Sequence, residues 1–158
     1  MNNLIEKIES IIKKYPTKES AILEILHIIQ KEKNYITEDD INWLSEMFGI
    51  NYSRIKAVAT FYTMYNLKKT GKYHIQICRN ISCHISGYRK IKEYIEKKLN
   101  IKEGEVSLDG MWSLVCVECL GSCGTAPVMM INQTYYEKLT EEKIDNIIEE
   151  ILRKNKGI

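Results

Sequence analysis

Hydrophobic residues in the first part of the chain recur three and four positions apart, which is the spacing of one face of a helix. Thr37, followed by acidic residues, resembles a capping box, and Gly49 is typical of a residue at which a helix ends. The pattern therefore predicts a helical bundle over residues 1–70, with helices over 4–14, 21–29, 37–49 and about 53–65.

A different pattern follows Gly71, where short apolar or alternating runs are separated by amphipathic helices. Residues 78–87, between the first run and the next helix, are predicted to form a loop. The pattern predicts an α/β layer over residues 71–158, which makes the whole chain α+β. Its predicted strands span 73–77, about 112–117, 128–131 and, after a turn at Asn132-Gln133, 135–136; its predicted helices span 88–99 and about 140–152.

The aromatic run Thr60-Phe61-Tyr62-Thr63-Met64-Tyr65 allows two interpretations. Tyrosine and methionine are favoured at the centres of protein interfaces, so the run is a candidate contact surface. Aromatic residues at a helix end are as often part of the core, where they would hold the two halves of the chain together. The sequence leaves both interpretations open.

The composition is that of a folded protein, with 44% hydrophobic and 28% charged residues and only 2 prolines, so no disordered linker is expected. The net charge of +2 gives no basic footprint for nucleic acid. The first residues lack the basic and apolar regions of a signal peptide, and no window approaches 18 apolar residues. We therefore expect a cytoplasmic protein without direct membrane insertion.

Four of the five cysteines form two close pairs, Cys78-x4-Cys83 and Cys119-x3-Cys123. In a reducing cytoplasm such pairs indicate metal binding rather than disulfides. Four thiolates are the usual ligands of a structural zinc ion or of an iron–sulfur cluster. Both kinds of site therefore remain candidates.

The second pair lies in a glycine-rich loop that ends at Pro127, whose preceding peptide bond is expected to be trans. Gly121 and Gly124 are expected to adopt positive φ and to let backbone N–H groups converge on a negatively charged group. A [2Fe–2S] cluster carries negative charge and needs such donors. The loop favours the cluster, while a zinc-stapled structural or adaptor protein stays open.

Cys116 and Cys119 spell Cys-x-x-Cys, so a thiol oxidoreductase is a third hypothesis. The pair follows an apolar strand and not a helix N-terminus, where a thiolate would be stabilised. We therefore expect Cys116 to be a buried strand residue. His84 invites a Rieske-type interpretation, but that site needs two histidine ligands, so we expect His84 to be solvated or to tune the cluster.

Several stretches together resemble a known family: Val58-Ala59-Thr60-Phe61-Tyr62, Cys78 to Cys83 followed by Gly87, Val117 to Met130, Tyr135-Tyr136 and Leu139-Thr140. They are similar to the thioredoxin-like [2Fe–2S] ferredoxins. That family includes the E subunit of NADH:quinone oxidoreductase and small subunits of NAD(P)-linked electron-bifurcating [FeFe] hydrogenases and of formate dehydrogenases.

The resemblance implies that Cys78, Cys83, Cys119 and Cys123 hold a [2Fe–2S] cluster, and it assigns no role to Cys116. It also implies a helical bundle over residues 1–70, a thioredoxin-like domain over 71–158, and a one-electron relay without a catalytic site of its own. The expected partners are a flavin- and NADH-binding subunit and further iron–sulfur subunits. The chain lacks a Gly-x-Gly-x-x-Gly fingerprint, so NADH is expected to bind the partner.

Overall fold

A computed structural model describes residues 2–155 and divides the chain between Lys69 and Thr70 into two compact units. Among the described residues of the first unit, all the regular elements are helices. They are α1 (Asn2–Ile12), α2 (Ile22–Lys33) preceded by a 3-10 turn (Glu19–Ala21), α3 (Glu38–Phe48) and α4 (Tyr52–Phe61). Isoleucine dominates their buried faces, with Ile8, Ile25, Ile29 and Ile55 fully buried. These buried positions recur at the helical spacing that the sequence predicts.

The capping box predicted for α3 is present. The Thr37 hydroxyl accepts a bond from the Asp40 amide (3.1 Å), and the Asp40 carboxylate accepts one from the Thr37 amide (2.9 Å). Gly49 ends the helix in the left-handed region at φ 63°. These local signals define α3 because they satisfy backbone groups that a helix end leaves unpaired.

The fourth helix ends at Phe61, four residues before the predicted end at Tyr65, because the chain turns to extended backbone at Tyr62. Tyr65 is 5% exposed and donates its hydroxyl to the Leu23 carbonyl (2.8 Å). Phe61 is 77% exposed and Met64 45%. The aromatic run therefore contributes one core residue to the helical unit and leaves the others on its surface.

The second unit is built on a four-stranded sheet of order β2-β1-β3-β4. Strands β1 and β2 are parallel, and the β1–β3 and β3–β4 pairs are antiparallel. Helix α6 packs against β1 and against α7. The elements are β1 (Tyr73–Cys78), α5 (Ile81–Ile85), α6 (Tyr88–Leu99), β2 (Trp112–Val117), a 3-10 turn (Cys123–Thr125), β3 (Met129–Ile131), β4 (Thr134–Tyr136) and α7 (Glu141–Asn155).

Strand β3 lies inside the sheet, between β1 and β4, as its apolar sequence suggests. The predictions for residues 78–87 and for the peptide bond before Pro127 are wrong. The stretch 78–87 contains helix α5, which begins because the Asn80 side chain accepts a bond from the Ile81 amide (2.8 Å). The Ala126–Pro127 peptide bond is cis, since the small intrinsic preference of X–Pro bonds for trans is readily overruled by the surrounding fold. Within the described range 2–155, no helix is long and apolar enough to cross a membrane.

Candidate metal centre

The parallel pairing of β1 and β2 brings the two cysteine loops to one edge of the sheet. Cys78 is the last residue of β1 and lies opposite Val117, the last residue of β2. The pairing continues one step further, because the Arg79 amide donates to the Val117 carbonyl (2.9 Å). Cys119 follows two residues after Val117, so both loops leave the sheet side by side.

An ion pair connects the two loops beyond the strand ends. The Arg79 guanidinium donates to the Glu118 carboxylate, with Nε 3.0 Å from Oε1. This contact lowers the pKa of Glu118. Both side chains are exposed, so we regard the pair as a link that fixes the spacing of the loops more than as a source of stability.

Helix α5 places Cys83 beside Cys78. Both thiols are buried, and the Cys78 side chain lies within hydrogen-bonding reach of the Cys83 thiol. Burial, followed by that thiol neighbour, raises the pKa of Cys83 to about 11. The backbone of Val128 acts on this pKa in the opposite direction. Without a metal, Cys83 therefore keeps its proton at neutral pH, and metal binding must displace that proton.

The glycine loop carries the second pair, both of whose thiols are exposed. Gly121 adopts φ +74°, and its amide donates to the Cys119 sulfur (3.3 Å). Cys123 opens the 3-10 turn that packs against α5 and lies near Cys83. Gly124 lies within that turn and is not among the residues with positive φ, so the prediction for this glycine is wrong.

The four thiols fit the ligand set of a [2Fe–2S] cluster in chemical type. Such a cluster takes two thiolates on each of two irons and needs N–H donors toward sulfur. The chain supplies four thiols on adjoining loops, and the Gly121 amide donates to the Cys119 sulfur. Within residues 2–155, no three or more His, Cys, Asp or Glu side chains are grouped as a ready site for a single metal ion.

Cys116 has different neighbours from the four paired cysteines. It is half-buried in β2, opposite Ile77, and its sulfur accepts a bond from the Tyr88 hydroxyl (3.0 Å). Burial is the largest cause that raises the pKa of Cys116, and burial also raises that of Tyr88 to about 12. His84 is exposed and stacks on Tyr88, with ring centroids 5.9 Å apart. The Cys116 sulfur thus contacts helix α6 through Tyr88.

Sequence reasoning missed three side chains that shape the site. Asn80 caps α5, a role that an Asn before an apolar helical turn could have indicated. Glu118 pairs with Arg79 across the two loops, and Glu137 accepts bonds from hydroxyls of the glycine loop. The last two contacts join distant parts of the sequence, so no local pattern could have revealed them.

The chain is similar to known proteins of one family. The family model described as "Thioredoxin-like [2Fe-2S] ferredoxin" matches residues 8–152. The E subunit of the NADH-quinone oxidoreductase of Rickettsia felis is 46% identical over 145 residues, which cover 90% of this chain and 87% of the relative. The corresponding protein of Rickettsia prowazekii is 44% identical over 152 residues, covering 94% and 86%.

Among solved structures, NAD+-reducing [NiFe]-hydrogenase in the air-oxidized state matches with a TM-score of 0.71 at 22% identity. The match covers 84% of this chain and 23% of the hydrogenase chain, so this chain corresponds to about a quarter of that protein. The structural likeness concerns the fold, and it confirms the predicted α+β class. With the family model matching most of its length, the chain belongs to the thioredoxin-like [2Fe–2S] ferredoxin family.

Proposed function

We propose that this chain is a one-electron relay subunit of a multi-subunit NAD(P)H-dependent oxidoreductase, with residues 1–70 and 71–158 acting as separate domains. One observation carries the proposal: the ends of β1 and β2 place two pairs of thiols on adjoining loops in a chain of this family. The names of the relatives from Rickettsia point to the NADH-quinone oxidoreductase type of complex.

In this proposal Cys78, Cys83, Cys119 and Cys123 hold the cluster as thiolates. A bound [2Fe–2S] cluster supplies a centre that accepts and releases one electron at a time. The amide of Gly121 stabilises negative charge on the Cys119 sulfur. In this proposal the protein side chains carry out no acid–base chemistry, and the chain exchanges electrons with a partner.

The experiment that tests this function is anaerobic purification followed by iron and sulfide analysis and EPR. We expect two irons and two sulfides per chain and an S = 1/2 signal after reduction, as befits a [2Fe–2S] cluster. A colourless protein with one zinc ion would mean that the chain is a structural protein and not an electron relay. Turnover of disulfide substrates by an iron-free protein would mean that the chain is a thiol oxidoreductase.

We further propose that the outer face of α5 contacts a flavin- and NADH-binding partner subunit. Ile81 and Ile85, four residues apart on this helix, are 71% and 80% exposed, while Cys83 between them is buried. One side of the helix thus presents apolar surface and the other presents a cluster ligand. An electron relay needs its partner close to the cluster, and exposed aliphatic side chains gain free energy when a partner covers them.

The double substitution Ile81→Glu/Ile85→Glu is expected to weaken partner binding about hundredfold, because it places two charges in an apolar contact. Co-expression with a tagged flavin subunit, followed by affinity measurement, checks this. Leu108→Glu is the matched control, since Leu108 is a fully exposed apolar residue in a turn of the same unit. Equal binding by the α5 variant and the control would exclude this face.

A further inference from the structure

A polar cluster braces the loop that carries Cys119 and Cys123. Thr125 Oγ1 donates to Glu137 Oε1 (2.8 Å), and the Ser122 hydroxyl donates to the same carboxylate oxygen. The two hydroxyl oxygens are themselves 2.6 Å apart. Ser122 and Thr125 lie on either side of Cys123 in the sequence, so one carboxylate holds both flanks of this cysteine.

The backbone next to Glu137 is fixed to the same loop. The Lys138 amide donates to the Thr125 carbonyl (2.7 Å), and the Leu139 amide donates to the Pro127 carbonyl (3.1 Å). Leu139 is 4% exposed and belongs to the core of the unit, while the Lys143 ammonium donates to the Glu137 carbonyl (2.6 Å). Glu137 is therefore held in place from the core side and serves as a fixed point for the loop.

The negative charge on Glu137 makes its carboxylate the acceptor of both hydroxyl bonds. The hydroxyls of Ser122 and then Thr125 are the largest causes that lower the pKa of this carboxyl group. Glu137 is thus an anion at neutral pH and accepts from both hydroxyls at once, which leaves neither free to rotate. Charge-assisted bonds of this kind are about twice as strong as bonds between neutral groups.

We propose that Glu137 is a positioning residue for the cluster and acts through Ser122 and Thr125. Resting on the proposed function, this assigns Glu137 two effects on a bound cluster. It keeps the loop in the conformation in which the 3-10 turn that begins at Cys123 packs against α5 and the Gly121 amide donates to the Cys119 sulfur. It also places a negative charge beside the ligand loop, which favours the oxidised form of the cluster because reduction adds a further negative charge.

The test compares full-length wild type, Glu137→Gln and Glu141→Gln, each reconstituted anaerobically with iron and sulfide. Glu141 lies exposed in the first turn of α7, so its substitution removes the same charge from a site outside the brace. For Glu137→Gln we expect about tenfold faster loss of the visible absorbance under an iron chelator. We also expect a higher midpoint potential and a broadened EPR signal. Glu141→Gln should match the wild type in all three measurements.

A second variant, Ser122→Ala/Thr125→Val, removes the hydroxyls and keeps the charge of Glu137. It is expected to lose its cluster as fast as Glu137→Gln, and the triple variant no faster than either, because all three side chains form one unit. This variant also provides the test if Glu137→Gln does not fold. A triple variant whose rate of cluster loss rises by the product of the two separate effects would overturn this inference but not the proposed function. A Glu137→Gln protein with the wild-type loss rate and midpoint potential would do the same. A wild type that takes up no [2Fe–2S] cluster would overturn the proposed function and the inference together.

Discussion

Serine in place of Cys78, Cys83, Cys119 or Cys123 is expected to lower the cluster content of the anaerobically purified protein at least about tenfold. Serine in place of Cys116 is expected to leave it unchanged. A hydroxyl oxygen is a weaker ligand for iron than a thiolate, and each of the four paired cysteines supplies one of the four bonds that the two irons require. Iron and sulfide analysis, together with the EPR signal of the reduced protein, measures the difference.

Cys116→Ser is a matched control because the substitution makes the same chemical change at a cysteine outside the two pairs. Cys116 lies only three residues before Cys119. Its serine hydroxyl can still accept the bond from Tyr88, so the surroundings of β2 should be preserved. Loss of the cluster in the Cys116 variant, with retention in any of the other four, would mean that the ligand set is assigned wrongly. Retention in all five variants would mean that the thiols do not hold the cluster.

The sequence alone predicts the elements that depend on local signals. Strand β2 spans Trp112–Val117 as predicted from its apolar sequence, and α6 spans Tyr88–Leu99 as predicted because its buried residues Tyr88, Ile91 and Ile95 recur at helical spacing. Thr37 and Gly49 define the ends of α3 through bonds within a few residues of each other. The signals for these elements lie within one short stretch of sequence, so each stretch can be interpreted by itself.

The remaining features depend on contacts between such stretches. The pairing of β1 with β2, which brings Cys78 level with Val117, joins strands separated by helix α6. The Tyr65 hydroxyl, four residues beyond the end of α4, donates to the Leu23 carbonyl of another helix. No local sequence signal near these strands or near Tyr65 indicates these contacts.

The same distinction applies within the candidate metal centre. Spacing and family resemblance predict the four cysteine ligands, and residue type predicts the positive φ of Gly121. Neither predicts the brace at Glu137, because its bonds to Ser122 and Thr125 close loops of 15 and 12 residues. Candidate ligands can thus be found from the sequence, whereas the side chains that hold those ligands in position become visible only in the folded chain.

Gly71 lies where the two ligand-bearing strands begin to pair. Its amide donates to the Ser113 hydroxyl (2.9 Å), and Ser113 is 2.8 Å from His74 Nδ1. Because the Ser113 oxygen already accepts from Gly71, its hydrogen is free to be donated to the imidazole. Burial lowers the pKa of His74 to about 4, so the ring is neutral at pH 7 and Nδ1 can accept that hydrogen. The backbone of residue 71 therefore lies directly against β2.

Gly71→Ala is expected to destabilise the protein by about 3–5 kcal/mol, because the added methyl group would overlap the backbone of β2. A Cβ at this position would lie 2.5 Å from the Trp112 carbonyl carbon and 2.8 Å from the Ser113 nitrogen, and backbone atoms in a paired strand cannot move aside. Denaturant unfolding of the metal-free protein measures the change. Gly124→Ala is the control, since a Cβ there meets nothing within 4 Å, and its midpoint should stay close to that of the wild type. Equal midpoints for both variants would show that β1 can shift away from β2 without cost. With the predicted result, the close approach at Gly71 contributes to the stability of the β1–β2 pairing that carries Cys78 and Cys119 to the same edge of the sheet.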